Sequence, residues 1–248
     1  MPYGMYISAE GAMAQGKLLE TISNNLANAD TTAFKRDLDR VQARHAEAIE
    51  RGSDYSGSQT INNIGGGVRV RETVTDFSQG VLKPTGNRLD MAIQGEGFFT
   101  VSKNGQTFLT RAGNFTLDDR GQLTTTEGYP VLNRSGSPIV IGPGEFDVSS
   151  DGAIVQQGEK KYLNVVRPQS TSDLVKMGQN LFRSLGSTLP VDDGRTTIRS
   201  GYLEASGVRP TTEMLNMIKA SRAFEANIKM IQNQDHMLGT LISRALGA

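Results

Sequence analysis

The sequence contains no cysteine and no tryptophan among its 248 residues, and it has only two histidines. The missing cysteines exclude disulfides, thiolate metal sites and cysteine nucleophiles. A zinc site without cysteine would need both histidines and carboxylates, so we interpret His45 and His236 as solvated or packing side chains. We therefore predict a protein that is not an enzyme, and we assign it no catalytic, cofactor-binding or metal-binding residues.

An excess of one charge and a long apolar run are also missing. Lys plus Arg and Asp plus Glu number 26 each, so nothing draws the chain toward nucleic acid or an anionic membrane. No window approaches the roughly 20 apolar residues of a membrane span. The N-terminus lacks the basic start and unbroken apolar run of a cleavable signal peptide. We expect no nucleic-acid partner, no membrane insertion, and either a cytoplasmic protein or export by another route.

The C-terminal stretch 211–246 has the strongest periodicity in the chain. Its seam positions alternate at steps of three and four for about four heptads, which predicts one long helix with a narrow apolar seam. Pro210 and Thr211 are helix-start signals. Asp235 falls within the repeat, where it either fixes coiled-coil register or lies at an exposed edge. The seam residues predicted to form an assembly interface here are Met217, Phe224, Ile228, Ile231, Leu238 and Ile242.

Residues 4–28 carry a weaker seam of the same kind. Its early positions are small and polar, and Leu19, Ile22 and Leu26 complete the predicted assembly interface. A break follows at 28–32. A third helical pattern then runs through Phe34, Leu38, Val41, His45 and Ala48. The two terminal seams are most simply buried against each other or against copies of the chain.

The middle of the chain has a different composition and a different pattern of apolar residues. Residues 52–67 are rich in Gly, Ser and Asn, a composition typical of a flexible linker. From Val68, short β-favouring runs recur between turn residues, and Asn104-Gly105 is a strong hairpin signal. We predict a helical segment at 1–51, the linker at 52–67, a β-rich domain at 68–204 and a helical segment at 205–248. The fold class is mainly β, with an antiparallel β domain inserted between coiled-coil-forming terminal helices.

The stretch Ser23 to Arg36 reads SNNLANADTTAFKR and resembles the N-terminal signature of bacterial flagellar rod and hook proteins. That signature is NNLAN, two residues, T, one residue, then GFK. This chain has Ala33 at the Gly position, where a tight turn is expected. Further segments are similar to the same family at 78–80, 90–99, 110–115, 201–208, 217–218 and 222–225. The motif residues are Asn24, Asn25, Leu26, Ala27, Asn28, Thr31, Phe34 and Lys35.

The resemblance implies a structural subunit of the basal-body rod, the tubular shaft that transmits torque from motor to hook. It implies terminal segments that pack as a coiled-coil inner layer and are disordered in the free monomer. It also implies export through the flagellar type III apparatus without a cleaved signal, and partners among copies of the chain and other rod and hook proteins. Within the family, the short length and the runs at 208–210 and 222–225 favour a proximal-rod subunit over a distal-rod subunit.

Three alternatives stay open. The apolar stripe could pack on the chain's own β domain, giving a monomeric α+β protein. A soluble coiled-coil adaptor would form a discrete dimer through 211–246. A secreted carbohydrate-binding β protein would show a deep polar pocket and a protease-resistant monomer. Limited proteolysis separates these readings from a rod subunit, which should lose roughly residues 1–60 and 205–248 because unpacked termini are cleaved first.

Overall fold

A computed structural model describes residues 3–45, 47–55, 57, 65–191, 196–245 and 247. The chain forms two compact units. The first, which we call the helical unit, contains the described parts of 1–27, 37–76 and 209–248. The second, the β unit, contains residues 28–36 and the described parts of 77–208.

The helical unit is built on two long helices, which confirms the predicted terminal helices. Helix α1 spans Tyr3–Ala27 and helix α3 spans Pro210–Ala245. They pack antiparallel, because Gly4 of α1 lies against Gln234 and Gly11 lies against Asn227. A built Cβ on Gly4 would lie 2.8 Å from the Gln234 Nε2 atom, and one on Gly11 would lie 3.0 Å from Asn227 Oδ1. These glycines therefore let the two backbones approach closely.

The third predicted helix is wrong. Residues Asp37–Ala43 form strand β1, which pairs antiparallel with strand β2, Val68–Thr75. Thr73 and Thr75 donate hydroxyl hydrogen bonds across the hairpin to the carboxylates of Asp39 and Asp37. A few apolar residues at steps of three and four fit a helix by chance, and a ladder with a strand partner prevails over so marginal a helix. Among the described residues from Phe34 to Glu50, only Glu47–Glu50 is helical; it forms helix α2.

Arg44 joins this hairpin to α1. Its guanidinium donates hydrogen bonds to Tyr6 Oη at 3.0 Å, to Glu10 at 3.1 Å and to Glu50 at 2.9 Å. Its backbone pairs with Gly66 and Gly67, at the end of the predicted linker. Residues 56 and 58–64 of that linker lie outside the described part of the chain. Arg44 is thus one of several residues that bond the described part of the hairpin to α1, together with Tyr3, which donates to the Gly65 carbonyl at 3.2 Å.

The β unit is made of short antiparallel strands. Its six-stranded sheet has the order β13-β14-β6-β5-β12-β15, and β9 to β11 form a three-stranded sheet. Two-stranded pairs join β3 to β17, β4 to β16 and β7 to β8. A 3-10 helix at Thr171–Asp173 precedes β13. The strands are β3 Leu82–Pro84, β4 Met91–Gln94, β5 Phe98–Lys103, β6 Gln106–Thr110, β7 Phe115–Leu117, β8 Leu123–Thr125, β9 Asp147–Val148, β10 Ala153–Gln156, β11 Glu159–Tyr162, β12 Val165–Pro168, β13 Leu174–Lys176, β14 Leu181–Ser184, β15 Thr188–Pro190, β16 Thr197–Ser200 and β17 Tyr202–Glu204.

The predicted hairpin at Asn104-Gly105 is confirmed, since both residues adopt positive φ between β5 and β6. Strands β11 and β12 are separated by Leu163 and Asn164, because the amides of these two residues bond to Gly152 and Leu132 in other segments. The strands enclose a main core that includes Met91, Phe99, Phe115, Leu123 and Ile154.

Four loops in the described part of the β unit share one design. Each ends in a glycine with positive φ whose amide bonds back three residues, at Gly121, Gly128, Gly136 and Gly152. In the loops that end at Gly121 and Gly136, an Asp118 or Asn133 side-chain oxygen also accepts from the amides two and four residues ahead. Such side-chain-to-backbone bonds replace ladder bonds at tight turns.

Candidate functional site

The nine predicted interface residues all lie on α1 and α3 of the helical unit, and none of them is fully buried. Ile242 is the most open, at 57% exposure. Phe224 lies near α1, because a Cβ built on Gly16 would be 3.8 Å from its ring. The single chain therefore shields the seam only in part. The eight half-buried members are Leu19, Ile22, Leu26, Met217, Phe224, Ile228, Ile231 and Leu238.

The residues that the two helices do bury are small or polar. In α1 they include Ser8, Ala12 and Ala14, and in α3 they are Glu213 and Ala220. Gly4 and Gly11 are the positions at which α1 comes close to the amide side chains of Gln234 and Asn227 on α3.

Sequence reasoning missed a second apolar row on α3. We call Met230, Met237 and Leu241 the methionine row; each is more than half exposed. Met230 and Met237 are seven residues apart and Leu241 follows four later, so the three share one helix face. The seven-residue spacing of Met230 and Met237 could have predicted this row, but the other seam of α3 has the longer and more regular repeat.

The signature asparagine Asn25 fixes the end of α1 within the helical unit. It is buried, and its amide makes both hydrogen bonds with the backbone of Asp37, one donated to the carbonyl at 2.8 Å and one accepted from the amide at 2.9 Å. Its side chain thus acts like a neighbouring strand for the first residue of β1. A buried backbone group left without a partner would cost about 1–3 kcal/mol.

The signature lysine Lys35 lies at the centre of the β unit. Its side chain is 1% exposed, and Nζ donates to Glu204 Oε1 at 2.6 Å and to the Ser78 carbonyl at 2.7 Å. Glu204 is equally buried and also accepts from the Gly80 amide at 2.8 Å. A buried lysine of this kind is retained only because its charge is paired and hydrogen-bonded.

Arg111 completes a buried ion cluster with Lys35 and Glu204. It lies 3.4 Å from Glu204 Oε2 and donates to the carbonyls of Gly95 and Ile93. Burial lowers the pKa of the Arg111 guanidinium, and the Glu204 carboxylate opposes that shift. Sequence reasoning did not find Glu204 or Arg111. Both stand in segments that carry the family resemblance, at 201–208 and 110–115, and that was the only signal.

The segments that resemble the rod and hook family are far apart in the sequence, but they meet at this cluster. Segment 28–36 supplies Lys35, 78–80 supplies the Ser78 carbonyl and the Gly80 amide, and 90–99 supplies the Ile93 and Gly95 carbonyls. Phe34 is buried there, with Lys176 Nζ 4.6 Å from its ring centre. Phe34 and Lys35 of the signature therefore make contacts that stabilise the fold of the β unit.

Two further signature residues, Asn28 and Thr31, form a turn that follows α1 in the sequence. The Asn28 carbonyl accepts from the Thr31 amide, and the Thr31 hydroxyl bonds to the Asn28 side chain. Asn24 and Ala27 are exposed on α1. The structure thus places Asn24, Asn25, Leu26 and Ala27 in the helical unit and Asn28, Thr31, Phe34 and Lys35 in the β unit.

Ala33 occupies the expected tight turn with φ of +54° and is 1% exposed. A left-handed conformation costs an L-residue about 1–2 kcal/mol, and it is far worse for a β-branched one. We expect Ala33→Val to lower the free energy of unfolding by about 2 kcal/mol or more, and Ala33→Gly to change it by less than about 1 kcal/mol. Urea unfolding of the β unit measures both. Equal effects of the two substitutions would contradict the positive φ.

Within the described ranges, no group of three or more His, Asp or Glu side chains is placed to hold a metal ion. The helices in those ranges also include none that is both long and apolar enough to cross a bilayer. The fold and the helical pair define a class of protein in which the two chain ends pair as helices and an antiparallel β unit is inserted between them.

Comparison with known families agrees with that class. Residues 5–35 match the family described as flagella basal body rod protein, 92–173 the flagellar hook protein FlgE/F/G D1 domain, and 199–244 the flagellar basal body rod FlgEFG protein C-terminal family. The chain is 34% identical to the flagellar basal-body rod protein FlgF of Caulobacter vibrioides, over 98% of both chains. It is 35% identical to FlgG of Bacillus subtilis, over 91% of this chain and 92% of that one. The chain belongs to the flagellar basal-body rod protein family.

Proposed function

We propose that this chain is a structural, non-enzymatic subunit of the flagellar rod that polymerises through α1 and α3. The observation that carries the proposal is the incomplete burial of the nine seam residues in a single chain. Each large apolar side chain that becomes fully buried on assembly contributes about 1.5–3 kcal/mol. The equal numbers of acidic and basic residues leave no net repulsion between copies.

In this proposal helices α1 and α3 supply the inner coiled-coil layer of a tube, and the β unit supplies the outer part. The subunit reaches the basal body through the flagellar type III export apparatus without a cleaved signal. Its partners are copies of itself and other rod and hook proteins. The assembled tube transmits torque from motor to hook.

Within the family we place the chain in the proximal rod, as a FlgF-like subunit. The similar identity to FlgG relatives keeps the distal rod as the second candidate. Deleting the gene and imaging purified basal bodies separates them. A FlgF-like subunit leaves basal bodies without the proximal segment and everything beyond it, whereas a FlgG-like subunit leaves a short rod that ends before the distal segment.

The assembly proposal predicts a loss of polymerisation for Ile242→Asp. Ile242 is already 57% exposed in the single chain, so the change should leave the fold of the monomer intact. In the assembly a buried, unpaired carboxylate would cost several kcal/mol. We expect incorporation into rods to fall at least about tenfold, measured as subunit per basal body.

The matched control is His236→Asp, which introduces the same carboxylate at an exposed polar position of the same helix. It should assemble like the wild type. If Ile242→Asp also assembles normally, the seam of α3 is not an interface.

A further inference from the structure

The sulfur of this chain is concentrated near its two ends. The sequence has no cysteine, so all of its sulfur belongs to nine methionines. Of the two in the middle of the chain, Met91 is fully buried in the core of the β unit and Met177 is exposed. The other seven lie in the ranges 1–27 and 209–248, which contain the two long helices: Met1, Met5, Met13, Met214, Met217, Met230 and Met237. An oxidant that reacts with sulfur therefore acts mainly on the segments that the proposed function uses for assembly.

Met230 and Met237, the two methionines of the methionine row, are accessible on α3. They are 55% and 56% exposed in the single chain. If the terminal segments are unpaired in the free monomer, as the family resemblance implies, the two thioethers are more accessible still. The unassembled subunit thus presents both sulfur atoms to dissolved oxidants, whether or not α1 and α3 are paired.

The methionine row is continuous with the seam of α3. Residues three and four apart are neighbours on a helix surface. Leu241 of the row is four residues after Met237 and three after Leu238, which is a seam residue. The next residue, Ile242, belongs to the seam, and both it and Leu241 are more than half exposed. Row and seam therefore form one apolar surface toward the end of α3, and a second copy of the chain that covers the seam covers the row as well.

We propose that Met230 and Met237 form a modification site, at which hydrogen peroxide converts the two thioethers to sulfoxides and so keeps the subunit out of the rod. The inference rests on the proposed function, because the interaction that is lost is the binding of a second copy of the chain to this surface. Methionine sulfoxide is reduced enzymatically, so the block is reversible in the presence of a methionine sulfoxide reductase.

The reaction at each side chain is a two-electron oxygen transfer. A lone pair of the sulfur attacks one peroxide oxygen, and the O–O bond breaks as the S–O bond forms. The departing hydroxide takes the proton of the transferred oxygen and becomes water, so sulfur is oxidised and the peroxide is reduced. The flexible apolar side chain becomes a polar one. Burying its oxygen against apolar side chains removes that oxygen's hydrogen bonds to water, which opposes assembly.

The first test replaces both methionines by glutamine, which places a polar oxygen on a side chain of similar length. We expect incorporation of Met230→Gln/Met237→Gln, measured as subunit per basal body, to fall at least about tenfold. The matched control is Met177→Gln, which makes the same change at an exposed methionine of the β unit. It should incorporate like the wild type, and an equal fall in both variants would overturn the proposal.

The second test uses Met230→Leu/Met237→Leu, which keeps the row apolar and removes its sulfur. Cells that make this variant or the wild type grow flagella with and without hydrogen peroxide, and each strain is compared with its own untreated culture. We expect peroxide to lower incorporation several-fold more in the wild type. Mass spectrometry should find sulfoxide at Met230 and Met237 in unassembled subunits and not in rods.

Equal losses in the two strains, or sulfoxide at these positions as often in rods as in unassembled subunits, would contradict the inference. Its failure is distinguishable from failure of the proposed function. If Ile242→Asp blocks incorporation while Met230→Gln/Met237→Gln incorporates normally, only the modification site is lost. If Ile242→Asp also incorporates normally, the α3 surface is not an interface and both proposals fail.

Discussion

Glu204→Gln is expected to lower the free energy of unfolding of the β unit by about 3–5 kcal/mol. The substitution keeps the size of the side chain but removes the only carboxylate placed between Lys35 and Arg111 in the described hydrogen bonds of the cluster. Lys35 and Arg111 would then remain buried without the Glu204 carboxylate that each of them contacts. Chemical denaturation followed through the β unit measures the effect.

Glu96→Gln is the matched control. Glu96 also pairs with an arginine, Arg167, at 3.2 Å, but its side chain is 77% exposed. Such a surface pair contributes about 0–1 kcal/mol. If the two Glu→Gln variants were equally stable, the buried ion cluster would not be a source of stability.

A double-mutant cycle resolves the Lys35–Glu204 pair further. Lys35→Met in the Glu204→Gln background removes one of the two buried cations that contact Glu204 in the wild type. We expect the double variant to lose less stability than the sum of the two single variants, with an interaction free energy of about 1–3 kcal/mol. Additive losses would show that the two side chains act independently.

Gly113→Ala is expected to be the other severe substitution, with a loss of about 3 kcal/mol or more. Gly113 accepts a hydrogen bond from the Met91 amide at 2.9 Å, and a Cβ at this position would overlap the Met91 carbonyl oxygen. The obstacle is backbone in a fully buried part of the core, so no side-chain movement relieves it. Thermal unfolding of the full chain checks the loss.

Gly142→Ala provides the comparison within the same unit. Its added Cβ would meet only the side chain of Gln156, at 3.4 Å. We expect a change in stability of less than about 1 kcal/mol. Equal losses of stability in the two variants would contradict the close approach of Gly113 to the Met91 carbonyl oxygen.

The elements that the sequence predicted well are those whose signal is local. The heptad repeat of α3 runs for four heptads without a proline, and Asn104-Gly105 demands a two-residue hairpin turn. Strand β1 was mistaken for a helix because its partner, β2, lies beyond residues of linker composition. A strand is stabilised by its neighbour, and the neighbour's position is not encoded in the strand itself.

The buried cluster could not be predicted for a related reason. Lys35, Arg111 and Glu204 are residue types that usually lie on the surface, and they are far apart in the sequence. Only the fold brings them together. Segment 28–36 was included in the predicted helical segment 1–51, since a further helical pattern was read from Phe34 after a break at 28–32. Its hydrogen bonds nevertheless run to Glu204, Ser206 and Gly207 in the β unit.

Glycines of α1 lie against amide side chains of α3, and these contacts affect the free energy of separating the two helices. Gln234 Oε1, next to Gly4, is buried and has no hydrogen-bond partner among the described residues. Separation of the helices would return that oxygen, and the Asn227 amide, to water, which offsets part of the free energy lost. The α1–α3 pair of a single chain therefore contains a buried unsatisfied oxygen that separation of the two helices would hydrate.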